Sequence, residues 1–375
     1  MVSEDWYFAS HRMELARALH RKKWLVGVAC TCGPAARRIR REGFSVFPVE
    51  FCRESLNPWA VFRSLSQIRK AVCEFRPDLL AAVALRPILL VPLMRTGPTP
   101  ATVNLLNGLG SLASGAHLPL WLRPASWWLR SLLGFAISRA NCWTVTQNEA
   151  DYQEARHLAG KASARVLKIL GTGISFPLRP LVARPAHGRT RFLFVGRLLR
   201  DKGILELLEA FVRISKRHPD TFLEVIGTID PANPASLTLR ELKAWEDIPK
   251  VSWLGHRKDV PERMKAADCV VIPSYREGLP RVLLEAAAAA RPVIVSDIPG
   301  CRELVDPEKT GLIVAPRNVS ELATAMEQIH LQPAFRKRLA LGLFRKVKKK
   351  CSIAHIGKAY ENLFRRALGA RHSRE

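Results

Sequence analysis

The stretch that decides the fold is Ser274-Tyr275-Arg276-Glu277-Gly278-Leu279-Pro280-Arg281-Val282-Leu283-Leu284-Glu285. It follows a short apolar strand, Cys269–Pro273, and residues 283–290 are strong helix formers, with Pro280 where the first position of a helix favours proline. This order predicts a loop that leaves the carboxyl end of a strand and opens into a helix. Ligands of open α/β sheets bind at such loops, and the free N–H groups of a helix start bind anions such as a diphosphate.

Two carboxylates stand in this stretch, Glu277 before the helix and Glu285 in its second turn. Carboxylates only accept hydrogen bonds, so two of them eight positions apart are suited to binding hydroxyl groups, as on a sugar and a ribose. The alternative from the residues alone is a surface loop that carries two solvated glutamates.

In its full context, Glu277-x7-Glu285 resembles the signature of retaining glycosyltransferases of family 4, which have the GT-B fold. It is most similar to the bacterial branch that extends lipid-linked oligosaccharides for surface polysaccharides and glycoproteins. The resemblance implies that Glu277 approaches the donor sugar and that Glu285 binds the ribose. It also implies that the backbone of Gly278, Leu279 and Pro280 faces the sugar and the phosphates.

A second segment follows a strand predicted over 191–196. Arg197 and Lys202 lie in a loop that opens the predicted helix Ile204–Lys216. A guanidinium fork and an ammonium group beside a helix start can hold a dianion, although two exposed cations at a helix start are common. The segment resembles the Gly-Arg…Lys-Gly segment of the family. The resemblance implies that Arg197 and Lys202 clasp the donor diphosphate and, with Glu277, carry catalysis.

The remaining candidate positions are single residues near predicted strand ends. His256 follows the strand predicted over 251–254, where the family seats the nucleobase, and it could equally be a turn residue. On the acceptor side the resemblance places a cleft loop and a histidine near the donor sugar. The candidates there are Gly108 and Gly110 in the loop Asn107–Gly110, Gly173 after a later strand, and His117 or His11 as the histidine.

The chain of 375 residues is long enough for two domains, and its alternating strand and helix signals predict parallel sheets covered by helices. The predicted fold class is α/β, GT-B, with two Rossmann-like domains facing a cleft. The boundaries are an acceptor-side domain at 1–176, a proline-containing linker at 177–188, a nucleotide-sugar-binding domain at 189–352 and a helix at 353–375. The resemblance implies that this helix returns to the first domain. It also implies a full first strand, and since only Met1–Val2 precede Ser3, we expect that strand to be truncated.

The net charge of +26 predicts an anionic partner, either a surface or a ligand. Nucleic acid is the competing partner, but the sequence has no zinc-finger spacing, no basic-region heptads and no RNP-type motif, so we expect none. Eight cysteines follow no disulfide or metal pattern, which is typical of reduced thiols in the cytoplasm. No apolar run reaches the roughly 18 residues of a membrane-spanning helix.

One segment, residues 116–139, combines tryptophans with spaced arginines and contains no acidic residue. Trp121, Trp127 and Trp128 with Arg123 and Arg130 are typical of a helix that lies in a membrane interface, with arginine toward anionic lipid. The alternative is a helix that covers the first sheet, and both interpretations can apply to different faces of one helix. We expect a peripheral protein on the cytoplasmic face of the inner membrane.

The resemblance implies transfer of a sugar from a nucleotide-diphosphate donor, UDP-linked, to a polyprenyl-linked glycan, with retention at the anomeric carbon. No Asp-x-Asp motif is present, so we expect neither a metal nor a cofactor beyond the nucleotide-sugar co-substrate. Two alternatives are a catalytically impaired scaffold of the same fold and a non-hydrolysing sugar-nucleotide epimerase. The epimerase would need acid and base side chains that the sequence does not place.

Overall fold

The computed structural model describes residues 1–51, 57–94, 100–109, 123–180, 188–231, 233–245 and 247–372. The chain divides into two compact units, Met1–Gly173 with Ile353–Glu375 (unit 1) and Ile174–Ser352 (unit 2). The predicted last helix therefore belongs to unit 1. Among the described residues, no helix is both long enough and apolar enough to cross a bilayer.

Unit 1 contains two parallel sheets, β1-β2 and β3-β4-β5-β6. Its strands are β1 Gly27–Cys30, β2 Ser45–Pro48, β3 Leu79–Val83, β4 Ala101–Leu105, β5 Cys142–Thr146 and β6 Val166–Lys168. Its helices are α1 Asp5–Tyr7, α2 Met13–His20, α3 Ala36–Arg41, α4 Pro58–Phe75, α5 Leu85–Leu90, α6 Arg123–Ser138, α7 Glu149–Ala159 and the last helix, α15 Ile353–His372. A π-helical turn, Phe8–Arg12, joins α1 to α2.

The first three residues lie between the two sheets of unit 1 and hydrogen-bond to both. On one side the Met1 amino group donates to the Ala81 carbonyl at 2.7 Å, and the Val83 N–H donates to the Met1 carbonyl at 3.0 Å. On the other side the Val2 N–H donates to the Ala29 carbonyl at 2.9 Å. Met1–Ser3 therefore occupies the position of a strand between β1 and β3.

An open cavity of about 630 Å³ lies along the same line, lined by the edges of β1 and β3 and by apolar side chains such as Leu19, Phe75 and Phe364. Because backbone groups alternate along a strand, those of Gly27 and Leu79 point into this space. Burial lowers the pKa of the Met1 amino group to about 6. The cavity thus has the shape and the backbone edges of a strand site.

Unit 2 is built on one six-stranded parallel sheet with the order β12-β11-β10-β7-β8-β9. The strands are β7 Thr190–Val195, β8 Thr221–Ile226, β9 Val251–Trp253, β10 Cys269–Ile272, β11 Val293–Ser296 and β12 Leu312–Val314. The helices are α8 Ile204–Arg217, α9 Leu239–Lys243, α10 Val260–Ala266, α11 Arg281–Ala288, α12 Pro299–Arg302, α13 Val319–Leu331 and α14 Pro333–Cys351.

The core of unit 2 follows from its sequence pattern. The strand β10 is apolar at every position and is buried throughout, as in parallel sheets covered on both faces. The helix α8 buries one stripe, Leu207, Phe211 and Ile214, against the sheet while its charged residues face outward. These elements fix the carboxyl edge of the sheet, where the candidate site lies.

We predict that an apolar extension stabilises unit 1. A variant with Val-Ile-Val-Val inserted before Met1 can continue the strand between β1 and β3, so that apolar side chains become buried. We expect the melting temperature to rise by about 3–8 °C in a thermal unfolding scan, since about 1 kcal/mol shifts a transition of this size by roughly 2–4 °C.

A Gly-Ser-Gly-Ser extension is the control, because it also moves the amino group but adds no apolar side chain. The pKa of the Met1 amino group falls from 8.0 to about 6 on folding, so the unfolded chain binds more protons between those values. Stability of the unextended chain should therefore fall by roughly 2–3 kcal/mol as the pH drops from 8 to 6, and this dependence should be absent from both extended chains. Three equal melting temperatures and three equal pH dependences would contradict the strand-site interpretation.

Candidate functional site

The strand order of unit 2 reverses between β7 and β10. The chain proceeds from β7 outward to β8 and β9, and then β10 returns to the other side of β7. Loops that leave neighbouring strands at such a reversal diverge and form a crevice at the carboxyl edge of the sheet. The loop after β7 carries Arg197 and Lys202, and the loop after β10 carries Glu277.

Lys202 and Glu277 form an ion pair across these two loops. Ser274 Oγ donates a hydrogen bond of 3.1 Å to Oε1 of the same carboxylate. The Lys202 and Glu277 side chains are 20% and 21% exposed, so both groups are partly accessible to solvent. The structure therefore brings the cation predicted for the diphosphate into direct contact with the carboxylate predicted for the sugar.

Arg197 has a partner that the sequence analysis did not identify. Its Nη1 lies 2.8 Å from Oδ2 of Asp230, which stands in the loop after β8. Nothing in the sequence around Asp230 distinguishes it from an ordinary loop aspartate, so only the folded loop reveals the pair.

The helix after the Glu277 loop begins one residue later than predicted. α11 starts at Arg281, and Pro280 is its N-cap with φ −63° and ψ 120°, so the placement of Pro280 at the first helical position was wrong. An extended ψ at Pro280 is not helical. Glu285 lies in the second turn of α11, where it accepts a hydrogen bond of 2.8 Å from Arg281 Nε.

Two glycines allow the backbone to come close on either side of the Glu277 loop. Gly203 has φ +66°, and a Cβ there would lie 2.1 Å from the carbonyl oxygen of Pro273 at the end of β10. A Cβ on Gly300, in α12, would lie 2.4 Å from the carbonyl oxygen of Gly278. A side chain at either glycine would force the two backbones apart. These contacts therefore hold the Glu277 loop close to the backbone on both sides.

Tyr275 ties the two loops together and was also missed in the sequence. Its N–H donates to the Asp201 carbonyl at 2.8 Å, its hydroxyl donates to the Glu206 carboxylate, and the Arg317 guanidinium lies 4.5 Å from the centre of its ring. Burial, followed by the neighbouring Glu206, raises the pKa of Tyr275 to about 12. The tyrosine stays neutral and keeps donating to Glu206.

The other predicted position in unit 2 lies apart from this crevice. His256 is exposed after β9, the edge strand, and β8 separates β9 from β7. The structure therefore places His256 at the same edge of the sheet but not against the Lys202–Glu277 pair.

One candidate residue of unit 1, His11, belongs to a polar cluster. The His11 ring stacks on the Tyr7 ring with centroids 4.3 Å apart, and the Tyr7 hydroxyl accepts a hydrogen bond of 2.8 Å from Asn107. Asn107 in turn accepts a hydrogen bond of 2.7 Å from the buried Arg12 guanidinium. His11 is thus joined through Tyr7 to the loop that carries Gly108.

Of the glycine candidates Gly173 and Gly110, the structure describes only the first. Gly173 has φ +78°, and a Cβ there would lie 2.8 Å from Cδ1 of Ile353, so its position is explained by packing against the start of α15. Gly110 lies outside the described residues, as do His117 and Trp121.

Within the described part of the chain, no group of three or more His, Cys, Asp or Glu side chains is arranged to hold a metal ion.

We predict that Tyr275→Phe destabilises unit 2. The substitution leaves the partly buried Glu206 carboxylate without its hydroxyl donor, and Glu206 Oε2 already lacks a partner. We expect the free energy of urea unfolding to fall by about 1–3 kcal/mol, the usual cost of leaving a buried acceptor unpaired.

The double variant Tyr275→Phe with Glu206→Met tests the cause of that loss. Replacing both partners by apolar side chains removes the unpaired acceptor, so part of the stability should return. A double variant that is as unstable as the sum of both single variants would show that the hydrogen bond is not the stabilising contact.

Most of the second half of the chain is similar to a known protein family. Residues 182–341 match the family Glycosyl transferases group 1, a range that contains Arg197, Lys202, Glu277 and Glu285. The chain therefore carries a glycosyltransferase domain over this range, as the sequence predicted.

Two relatives have curated names. The chain is 26% identical over 341 residues, covering 88% of each protein, to the N,N'-diacetylbacillosaminyl-diphospho-undecaprenol alpha-1,3-N-acetylgalactosaminyltransferase of Campylobacter jejuni. It is 28% identical over 225 residues, or 57% of this chain, to the glycogen synthase of Mycobacterium tuberculosis. The match spans 53% of the length of that glycogen synthase, about half.

Two solved structures share the fold along almost the whole chain. Sucrose-phosphate synthase from Thermosynechococcus elongatus superposes with a TM-score of 0.77 at 20% identity, covering 95% of this chain and 92% of that one. The Anabaena protein HepE in complex with UDP-glucose gives a TM-score of 0.74 at 17% identity and 94% coverage of each. With the parallel sheets of both units, they confirm the predicted α/β fold of the GT-B class.

Proposed function

We propose that this chain, whose residues 182–341 form a group 1 glycosyltransferase domain, is a retaining glycosyltransferase that uses a UDP-linked sugar and a polyprenyl-linked glycan acceptor. The observation that carries the proposal is the Lys202–Glu277 pair at the reversal point between β7 and β10. The pair joins a cation suited to phosphate with a carboxylate suited to hydroxyl groups.

The donor diphosphate would lie against Arg197, Lys202 and the start of α11. The N-cap residue Pro280 has no side-chain acceptor at that helix start, and the positive end of the helix dipole favours phosphate oxygens there. As the bond to the sugar breaks, negative charge grows on the departing diphosphate. Fixed cations and helix N–H groups stabilise that charge without a metal ion.

The carboxylates would act on the rest of the donor. Glu277 reaches sugar hydroxyls beside the diphosphate, and Glu285, one turn into α11, reaches the ribose. Because Glu277 is already the partner of Lys202, we assign it an electrostatic and positioning role rather than that of a nucleophile. In this mechanism the departing phosphate accepts the proton of the acceptor hydroxyl, and retention follows from attack on the same face of the sugar.

Two of the comparisons support the substrates. The name of the Campylobacter jejuni relative specifies a saccharide on diphospho-undecaprenol, and that relative matches over 88% of its length. HepE was solved with UDP-glucose. Both observations favour a nucleotide sugar and a lipid-linked acceptor for this chain.

A lipid-linked acceptor requires the enzyme to reach a membrane surface, and α6 offers an apolar face for it. Trp127 and Trp128 are each 63% exposed and Phe135 is 59% exposed, whereas Leu133 and Ile137 are buried against unit 1. The helix therefore has an outer aromatic face and an inner packing face. We propose that the outer face binds the cytoplasmic leaflet.

The structure corrects one detail of this surface. Arg130, which we had expected to face anionic lipid, forms an ion pair with Glu154 of α7 and is 28% exposed. It stabilises the packing of α6 on α7, so the aromatic side chains, not Arg130, would carry the contact with lipid.

The donor site is tested by substitution and binding of UDP. Lys202→Ala and Arg197→Ala each remove a charge-assisted contact worth about 1.5–3 kcal/mol, so we expect UDP to bind roughly 10- to 100-fold more weakly in isothermal titration calorimetry. Glu277→Gln should bind UDP at least as tightly as the wild type, because it removes the carboxylate paired with Lys202, but should lower the rate of UDP-sugar turnover, because its sugar contact tightens in the transition state.

Arg213→Ala is the matched control, since Arg213 forms an exposed ion pair with Glu209 on α8 and lies outside the crevice. It should bind UDP as the wild type does. Wild-type affinity in both Lys202→Ala and Arg197→Ala would exclude these residues from the diphosphate site. UDP binding without turnover of any UDP-sugar would favour the impaired scaffold instead.

The membrane surface is tested by vesicle sedimentation. Replacing Trp127 and Trp128 by Ala should reduce binding to vesicles that contain anionic lipid by at least about fivefold. Indoles that enter the lipid interface supply the part of the attraction that added salt does not weaken. The double variant should still bind UDP and melt as the wild type does. If wild-type protein does not bind anionic vesicles at low salt, the peripheral assignment fails.

A further inference from the structure

Both cations of the candidate diphosphate site already have a carboxylate partner. Lys202 is paired with Glu277, which the proposed mechanism uses at the sugar. Arg197 is paired with Asp230 at 2.8 Å, and no step of that mechanism uses Asp230. A negative charge beside a cation that must bind a dianion needs an explanation.

The loop that carries Asp230 is held in place by backbone hydrogen bonds. The Leu198 N–H donates to the Thr228 carbonyl at 3.0 Å, and the Arg200 N–H donates to the Ala235 carbonyl at 2.8 Å. The Asp230 N–H donates to Ser236 Oγ at 2.9 Å. The loop therefore runs beside the segment that carries Arg197, which keeps the backbone of Asp230 near that residue.

The Gly227 backbone fixes the start of the same loop. Gly227 has φ +154°, and a Cβ there would lie 1.8 Å from the carbonyl oxygen of Gly196. The ends of β7 and β8 therefore lie in close contact, so the loop that carries Asp230 starts beside Gly196, the residue that precedes Arg197.

The Arg197–Asp230 ion pair is weak enough for a diphosphate to displace it, but Asp230 stays close enough to affect the binding of that diphosphate. The Arg197 side chain is 49% exposed and the Asp230 side chain 29%, and ion pairs with this exposure contribute little. A diphosphate carries more charge and can accept two parallel hydrogen bonds from a guanidinium, so it displaces a single carboxylate. The displaced Asp230 remains a few ångströms away and repels the bound anion.

We propose that Asp230 limits the affinity of the site for diphosphates by competing with them for Arg197. This inference rests on the proposed function and concerns the same site. Its consequence is that the nucleoside diphosphate product leaves readily after transfer, because the carboxylate takes back the guanidinium.

The test is the isosteric variant Asp230→Asn, titrated with UDP and separately with inorganic pyrophosphate. Removing the competing charge should tighten the binding of both roughly three- to tenfold and should steepen the loss of affinity with added salt. Asp230→Glu keeps the charge and should bind as the wild type does. Glu209→Gln, which removes the carboxylate of the exposed Arg213 pair, is the matched control and should change neither affinity by more than about twofold.

The outcomes separate this inference from the proposed function. Unchanged or weaker pyrophosphate binding by Asp230→Asn, with an unchanged melting temperature, would overturn the inference and would show that Asp230 orients Arg197 instead. Tighter pyrophosphate binding with UDP no better than pyrophosphate would support the inference and contradict the UDP donor. Failure of all variants and the wild type to bind either anion would overturn both.

Discussion

The pairing of β10 with β7 determines the candidate site. Phe192 lies opposite Cys269 and Leu193 opposite Val270 in a parallel register, so the loops that follow the two strands emerge side by side. Lys202 and Glu277 are 75 residues apart in the chain, and only this register brings them into contact. The approach of Gly203 to Pro273 then fixes how closely the two loops can lie. A change in the register of one residue would move each side chain of β10 to the opposite face of the sheet as well as separate the pair.

The two units support their sheets in different ways. In unit 2 every strand from β12 to β9 is hydrogen-bonded to its neighbours, and helices such as α8 and α11 cover the sheet. Among the described residues of unit 1, Met1–Ser3 supplies the hydrogen bonds that connect β1 to β3. Beyond these residues a cavity separates the edges of β1 and β3, which would otherwise be covered by a neighbouring strand. We therefore expect the stability of unit 1 to depend on few contacts in this region. The charged groups of the candidate donor site lie in the unit whose sheet is complete.

Regular elements could be predicted from the sequence because apolar periodicity and turn residues act locally. The strand predicted over Cys269–Pro273 forms over Cys269–Ile272, and the helix predicted over Ile204–Lys216 forms over Ile204–Arg217. The Glu277 and Lys202 segments could be assigned to one site because each follows a strand. The contacts of Arg197 with Asp230 and of Tyr275 with Glu206 could not be predicted, because they depend on how separate loops fold onto the sheet edge.

The Glu277 loop is bounded by the main chain on both sides, by Gly203 against Pro273 and by Gly300 against Gly278. Such contacts do not depend on which side chains the loop carries, so Arg276 and Leu279 can be exchanged without moving Glu277. The number of residues in the loop is less free to change, because an insertion before Gly278 would disturb its close approach to Gly300. We therefore expect this loop to tolerate substitutions more readily than insertions.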